Sequence, residues 1–169
     1  MRTALASGLT LWNAGTFYGA PTYNSITLLT SYFQAHPSDA SKILLSVKGC
    51  FDLASMSGVG SPEAVKRELD GVLEQLATVG IKKIDVFECA RVDPNVPIET
   101  TLKFLDDEYV RKGLVGGIAL SEVTAATIRR AAAVTKIVGV ENEASMWSTD
   151  FLSNGVADAC AELDIPLMA

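Results

Sequence analysis

Short apolar runs and amphipathic stretches alternate along the chain. Leu9 to Asn13 reads as a short strand, followed by a polar loop and a helical stretch from Asn24 to Gln34. Lys42 to Lys48 is a second strand, rich in branched apolar residues and ending at Gly49. Ser61 then opens a helix, with Pro62 in its first position and Glu63 in its first turn. Val65, Leu69, Val72, Leu73 and Leu76 keep to one face of that helix, which Gly80 stops. The unit then recurs. Lys83 to Cys89 is a strand, and Pro97 opens a helix carrying Ile98, Leu102, Leu105 and Tyr109, stopped at Gly113. Val115 to Leu120 is a strand, and Thr124 caps a helix with Ile128, Ala131 and Ala132. Lys136 to Glu141 is a strand followed by a helix around Val156, Ala157, Cys160 and Leu163, and Ile165 begins a last strand.

Such regular alternation predicts an α/β fold with a parallel sheet built from crossover units. Polar residues cluster just past several strand ends: Asn13 to Tyr18, Lys48, Arg91 to Asp93, Ser121-Glu122, and Glu141 to Glu143. A doubly wound sheet concentrates its site at one switch point, whereas a barrel draws on the carboxyl ends of many strands. The spread of polar residues, and the lack of a GxGxxG after any strand, predicts part of a (β/α)8 barrel rather than a Rossmann sheet. At 169 residues, with no low-complexity segment, residues 1–169 are expected to form one domain.

Composition narrows the class. With 49% apolar and 20% charged residues the chain reads as soluble and globular. A net charge of −6 argues against a nucleic-acid surface. No apolar run approaches the roughly 20 residues that a membrane helix needs. The apolar start is broken by Ser7 and Gly8, unlike a secretory signal, so a cytoplasmic location is expected. Cys50, Cys89 and Cys160 are far apart and read as buried free thiols. With His36 the sole histidine, sitting in a loop before Pro37, no metal-site spacing exists and no metal is expected.

Two residues carry candidate chemistry. Lys48 shares a strand face with Leu44 and Ser46, so an apolar strand ends in an ammonium. It is either a lysine snorkelling out of the strand end or the partner of Tyr18, which stands before a Gly-Ala-Pro turn in LWNAGTFYGAP. A tyrosine with the usual pKa of about 10 is a poor acid at neutral pH, and a nearby cation stabilises its phenolate. Such a pair can donate a proton to a developing alkoxide. Lys48 could equally serve as the Schiff-base lysine of an aldolase-like barrel. Trp12 and Trp147 adjoin the rim and either line a substrate mouth or pack in the core or a lid.

LWNAGTFYGAP, ILLSVKG, IDVFECARVDP, GLVGGIALSEVTAATIRRA and VGVENEASMWSTD resemble, in order and spacing, successive blocks of the aldo-keto reductase superfamily. Within it they are similar to the pyridoxal reductase-like branch found in fungi. The resemblance implies a (β/α)8 barrel that reduces a small carbonyl compound with NADPH, bound without a Rossmann fold. It implies Tyr18 as proton donor and Lys48 as the cation that lowers the donor's pKa. Asn13 falls where the family usually has an aspartate; its amide can accept from Lys48 but carries no charge. Ala90 falls where a histidine is usual, and Glu88, two residues earlier on the same face, could partly stand in for it. On the cofactor side the resemblance implies Ser121, Glu122, Glu141 and Asn142, with Glu141 in a position usually held by glutamine. Against the family pattern the chain runs from about the second strand to the seventh, leaving open barrel edges that favour self-association. An inactive barrel fragment with an interaction role is the alternative reading.

Overall fold

The computed structural model describes residues 1–20 and 22–169. Pro21, the last residue of the expected Gly-Ala-Pro turn, lies outside the described residues. A single six-stranded parallel sheet organises the chain: β1 (Leu11–Gly15), β2 (Leu44–Gly49), β3 (Val86–Cys89), β4 (Ile118–Ser121), β5 (Ile137–Glu141) and β6 (Leu167–Met168). The strands lie side by side in chain order, with no reversal. This is the order of a barrel wall, and a doubly wound sheet would reverse at a switch point. Each strand begins two or three residues later than the apolar pattern predicts at β1, β2, β3, β4 and β6, because the first residues are the approach from the preceding turn. Two small antiparallel hairpins that the pattern did not show, Gly19–Ala20 with Tyr23–Asn24 and Phe51–Asp52 with Ser57–Gly58, follow β1 and β2.

The helices are α1 (Arg2–Ala6), α2 (Ser25–Ala35), α3 (Pro62–Ala77), α4 (Ile98–Leu105), α5 (Ala125–Ala132) and α6 (Val156–Glu162). From α2 onwards each packs against the next, which makes one continuous outer layer. Their starts follow from local chemistry. Asn24 caps α2 by accepting from Ile26 and Thr27 N–H, and Thr27 returns the bond to the Asn24 N–H. Ser61 caps α3 ahead of Pro62, and Thr124 caps α5, both as their sequence positions predict. The helix α4 continues into a π-helical turn at Asp106–Val110, which brings the buried Tyr109 hydroxyl to Asp70 Oδ1 at 2.8 Å.

The apolar core lies between sheet and helices, where Val47, Phe87, Leu120 and Val140 meet Leu69, Leu76, Leu102, Leu105 and Ile128. The opposite face of the sheet carries the polar residues. There, Asn13 pairs with Ser46, Lys48 with Glu88, Glu88 with Ala119, and Ser121 with Glu141. One extra residue, Val138, bulges out of β5 between the Ile118–Ile137 and Ala119–Gly139 pairs. That shift sets Glu141 beside Ser121 on the inward face. At the far end of this face Leu11 and Leu44 are 52% and 46% exposed, because six strands curve without closing over them. The three cysteines are free and buried, as expected. Trp12 packs against Tyr32 and Phe33, whereas Trp147 is exposed.

The loop after β2 is pinned by close approach. A Cβ on Gly58 would lie 2.5 Å from the carbonyl carbon and oxygen of Val92, so the hairpin sits directly on the turn that follows β3. Gly58→Ala forces two backbone segments apart and is expected to lower the melting temperature by about 2–8 °C. Differential scanning calorimetry of the two proteins checks this.

Candidate active site

Lys48 is the centre of the polar face. It is buried, and its Nζ lies 2.9 Å from Glu88 Oε1, 3.4 Å from Ser121 Oγ, and in direct contact with Glu141 Oε1. Snorkelling is excluded, since the ammonium stays inside the curve of the sheet. Burial pulls the lysine pKa down, but the Glu141 and Glu88 carboxylates more than offset it, so it stands above the ordinary lysine value. Glu88 is fully buried, and its oxygens lack an aligned hydrogen-bond partner despite the short approach of Lys48. Burial raises its pKa against the pull of Lys48.

Asn13 does something other than accept from Lys48. Its Nδ2 donates to Glu141 Oε2 at 2.7 Å, across the concave face from β1 to β5. Both oxygens of Glu141 are therefore engaged, one by the lysine and one by the amide.

Tyr18 is held beside this cluster by its loop. Its ring lies over Gly15, where a Cβ would come within 2.8 Å of ring Cδ2. The Tyr18 N–H donates to the Gly15 carbonyl, and the Tyr18 carbonyl accepts from Ser25 N–H at the start of α2. Ser25 Oγ also bonds both backbone groups of Gly15, and Thr16 N–H donates to the Lys48 carbonyl at 2.9 Å. Glu68 of α3 accepts from Thr16 Oγ1 with one oxygen and from Cys50 N–H with the other. One carboxylate thus clamps the tyrosine loop to the strand end that carries Lys48. Past Lys48 and Ser121 the chain turns away sharply through Cys50 (φ 61°) and Glu122 (φ 52°), a conformation that side chains other than glycine seldom adopt.

Tyr18 and Lys48 line one cavity of about 300 Å³, with Phe17, Phe51, Arg91, Ser121, Glu122 and Glu141. Five of the seven residues singled out in the sequence converge there, and Asn13 reaches it through Glu141. Asn142 does not. Its amide donates to the Glu143 carbonyl, and it faces a neighbouring cavity of about 380 Å³ whose walls include Glu122, Glu143 and Asp150. Glu88 lies beneath Lys48 and away from the cavity, so it cannot stand in for a donor at position 90. Arg91, placed by the sequence among the polar residues past a strand end but given no role there, lines the cavity rim. Its Nη1 folds back onto the Ala90 carbonyl at 2.6 Å and lies 3.5 Å from Ser121 Oγ. Glu68 and Gly15 were also missed, having no pattern that separates them from an ordinary helix-face glutamate and strand-end glycine. Among the described residues no group of three or more His, Cys, Asp or Glu is placed to hold a metal ion.

Compared with known proteins, residues 1–169 match the family described as "Aldo/keto reductase family". The chain belongs to that family. It is 44% identical over 171 residues to "Probable pyridoxal reductase 2" of Schizosaccharomyces pombe, covering 100% of this chain and 50% of that protein. It is 30% identical over 166 residues to an aldo-keto reductase of Gibberella moniliformis, covering 98% of this chain and 49% of that one. The chain therefore spans about half the length of the curated relatives it matches. A crystal structure of a thermostable aldo-keto reductase in complex with the inhibitor epalrestat superposes with a TM-score of 0.82 at 19% identity, covering 98% of this chain and 56% of that one. The likeness shows that the six strands have the fold of a barrel segment.

The family implies a reduced nicotinamide cofactor, and the two cavities differ in their fit. The Ser121 hydroxyl at the wall of the first can donate to or accept from a carboxamide, so the nicotinamide end fits. The second cavity is lined by three carboxylates and no basic side chain, which does not suit phosphate groups.

The raised pKa of Glu88 has a consequence for stability. A carboxyl whose folded value lies above its unfolded value favours the folded state at low pH and loses that contribution as pH rises through the folded value. The melting temperature of Glu88→Gln, measured against the unsubstituted chain, should therefore gain as pH rises from about 4.3, the ordinary glutamate value. A difference that stays flat up to pH 8 contradicts the assignment.

Proposed function

We propose that this chain carries the proton-donating site of an NADPH-dependent carbonyl reductase acting on a pyridoxal-like aldehyde. The carrying observation is that Tyr18 and Lys48 line one cavity, the lysine buried and the tyrosine exposed. When bound, the reduced nicotinamide supplies the hydride to the carbonyl carbon. The Tyr18 hydroxyl donates its proton to the carbonyl oxygen, and the Lys48 charge favours the phenolate left behind. Ser121 would hold the carboxamide. The names of the relatives support the substrate class, and the space of about 300 Å³ suits a nicotinamide ring with a small aldehyde.

Ala90 favours a second reading, an inactive barrel segment, because methyl groups cannot orient a carbonyl. Arg91 answers part of that objection, since its guanidinium lies on the same wall. The Schiff-base reading fares worse: a lysine paired with carboxylates and held above its ordinary pKa keeps its proton and is not a nucleophile.

Consumption of NADPH with pyridoxal, followed by absorbance, tests the proposal. Tyr18→Phe and Lys48→Met should each lower kcat by about 10²–10⁴-fold. Borohydride treatment with the same aldehyde should leave no adduct on Lys48. Activity that survives Tyr18→Phe contradicts the reading.

A further inference from the structure

One ammonium faces two carboxylates at the centre of this site, and the two are unequal. Glu88 Oε1 is 2.9 Å from Lys48 Nζ, yet both Glu88 oxygens are sealed in the sheet without an aligned donor. Glu141 meets the same ammonium with Oε1 while Oε2 receives the Asn13 amide at 2.7 Å, and its side chain is 28% exposed. Ionisation is disfavoured where a carboxylate has neither water nor donors and favoured where both oxygens are bonded. Glu141 on β5 is therefore the better-supported of the two counter-charges of Lys48.

We propose that Glu141, fixed by Asn13, is the positioning residue that keeps Lys48 charged and in place beside Tyr18. Asn13 acts through Glu141: its donated bond selects the carboxylate rotamer that delivers Oε1 to the lysine. The two residues stand on the first and fifth strands, so this contact spans the concave face rather than neighbouring strands. It also takes up the carboxylate that sequence reasoning assigned to the cofactor.

The other groups facing Lys48 are Ser121 on β4, Glu88 on β3, Tyr18 on the loop after β1, Arg91 on the turn after β3 and Glu122 on the turn after β4. Arg91 would oppose the lysine charge and Glu122 would support it. Neither makes an ion pair with Lys48 among the described residues.

The inference rests on the reductase reading for its catalytic meaning, so its test includes an arm that needs no activity. In the full chain labelled with 13C-lysine, the Lys48 Cε signal, assigned through Lys48→Met, is followed against pH. The unsubstituted protein should show no Lys48 titration below about 10.4, the ordinary lysine value. Glu141→Gln should bring the midpoint down by about one pH unit or more, a tenfold change. Glu88→Gln should move it less. The double variant Asn13→Asp/Glu141→Gln, which keeps the hydrogen bond and moves the charge to the other end of it, should recover most of the shift. A midpoint unchanged in Glu141→Gln, or a larger shift in Glu88→Gln, overturns the proposal. In the aldehyde assay Glu141→Gln should lower kcat/KM about tenfold or more at pH 8, again with recovery in the double variant. Loss of activity without recovery, alongside an unmoved Lys48 signal, assigns Glu141 to cofactor contact instead. An unsubstituted chain that reduces no aldehyde but shows the expected titration overturns the reductase reading alone.

Discussion

Burying a lysine ammonium costs several kcal/mol unless charge and hydrogen bonds replace its water, and the concave face of this sheet is arranged around that requirement. Lys48 sits on β2, but its carboxylates come from β3 and β5. A lysine on the second strand reaches the fifth only if the sheet curves enough for their inward side chains to meet. The Val138 bulge, the Ser121–Glu141 pairing and the Asn13 bond across the face all serve that meeting. The same curvature leaves Leu11 and Leu44 in view at the other end of the wall.

From this anchored charge the rest of the rim follows. Gly15 leaves room for the Tyr18 ring, Ser25 holds the backbone on either side of it, and Glu68 ties the loop to the end of β2. The tyrosine remains open to solvent while the lysine that lines the same cavity does not. That asymmetry suits the proposed proton donor, which must reach substrate while its tuning charge keeps its strength in a low dielectric. Family membership and rim geometry both support the proposed carbonyl reduction. Ala90 marks where this site departs from the pattern that the resemblance implies.

Much of this was legible in the sequence. Branched apolar runs ended at Gly49 and Cys89 and helices opened at Ser61 and Thr124, because strand propensity and capping are local. Tyr18 and Lys48 could be paired because the rim of a barrel collects residues from successive strand ends. What stayed hidden depends on curvature and on rotamers. Nothing in the spacing of Asn13 and Glu141 says that they touch, since three strands separate them. The direction of that bond, amide to carboxylate, reversed the role expected of Asn13 and engages a Glu141 oxygen that its sequence position does not reveal. Arg91 was legible as a polar strand-end residue, but its fold back over Ala90 is a side-chain choice with no sequence period.

The central claim is that a charged Lys48 tunes Tyr18 as the acid of a carbonyl reduction, and the pH dependence of kcat/KM for aldehyde reduction tests it most directly. With Lys48 held above its ordinary value by Glu141 and Glu88, the account predicts a rate that is level through neutral pH and falls only in the alkaline range. A rate that already falls between pH 6 and pH 8, in step with loss of the lysine proton, would contradict it.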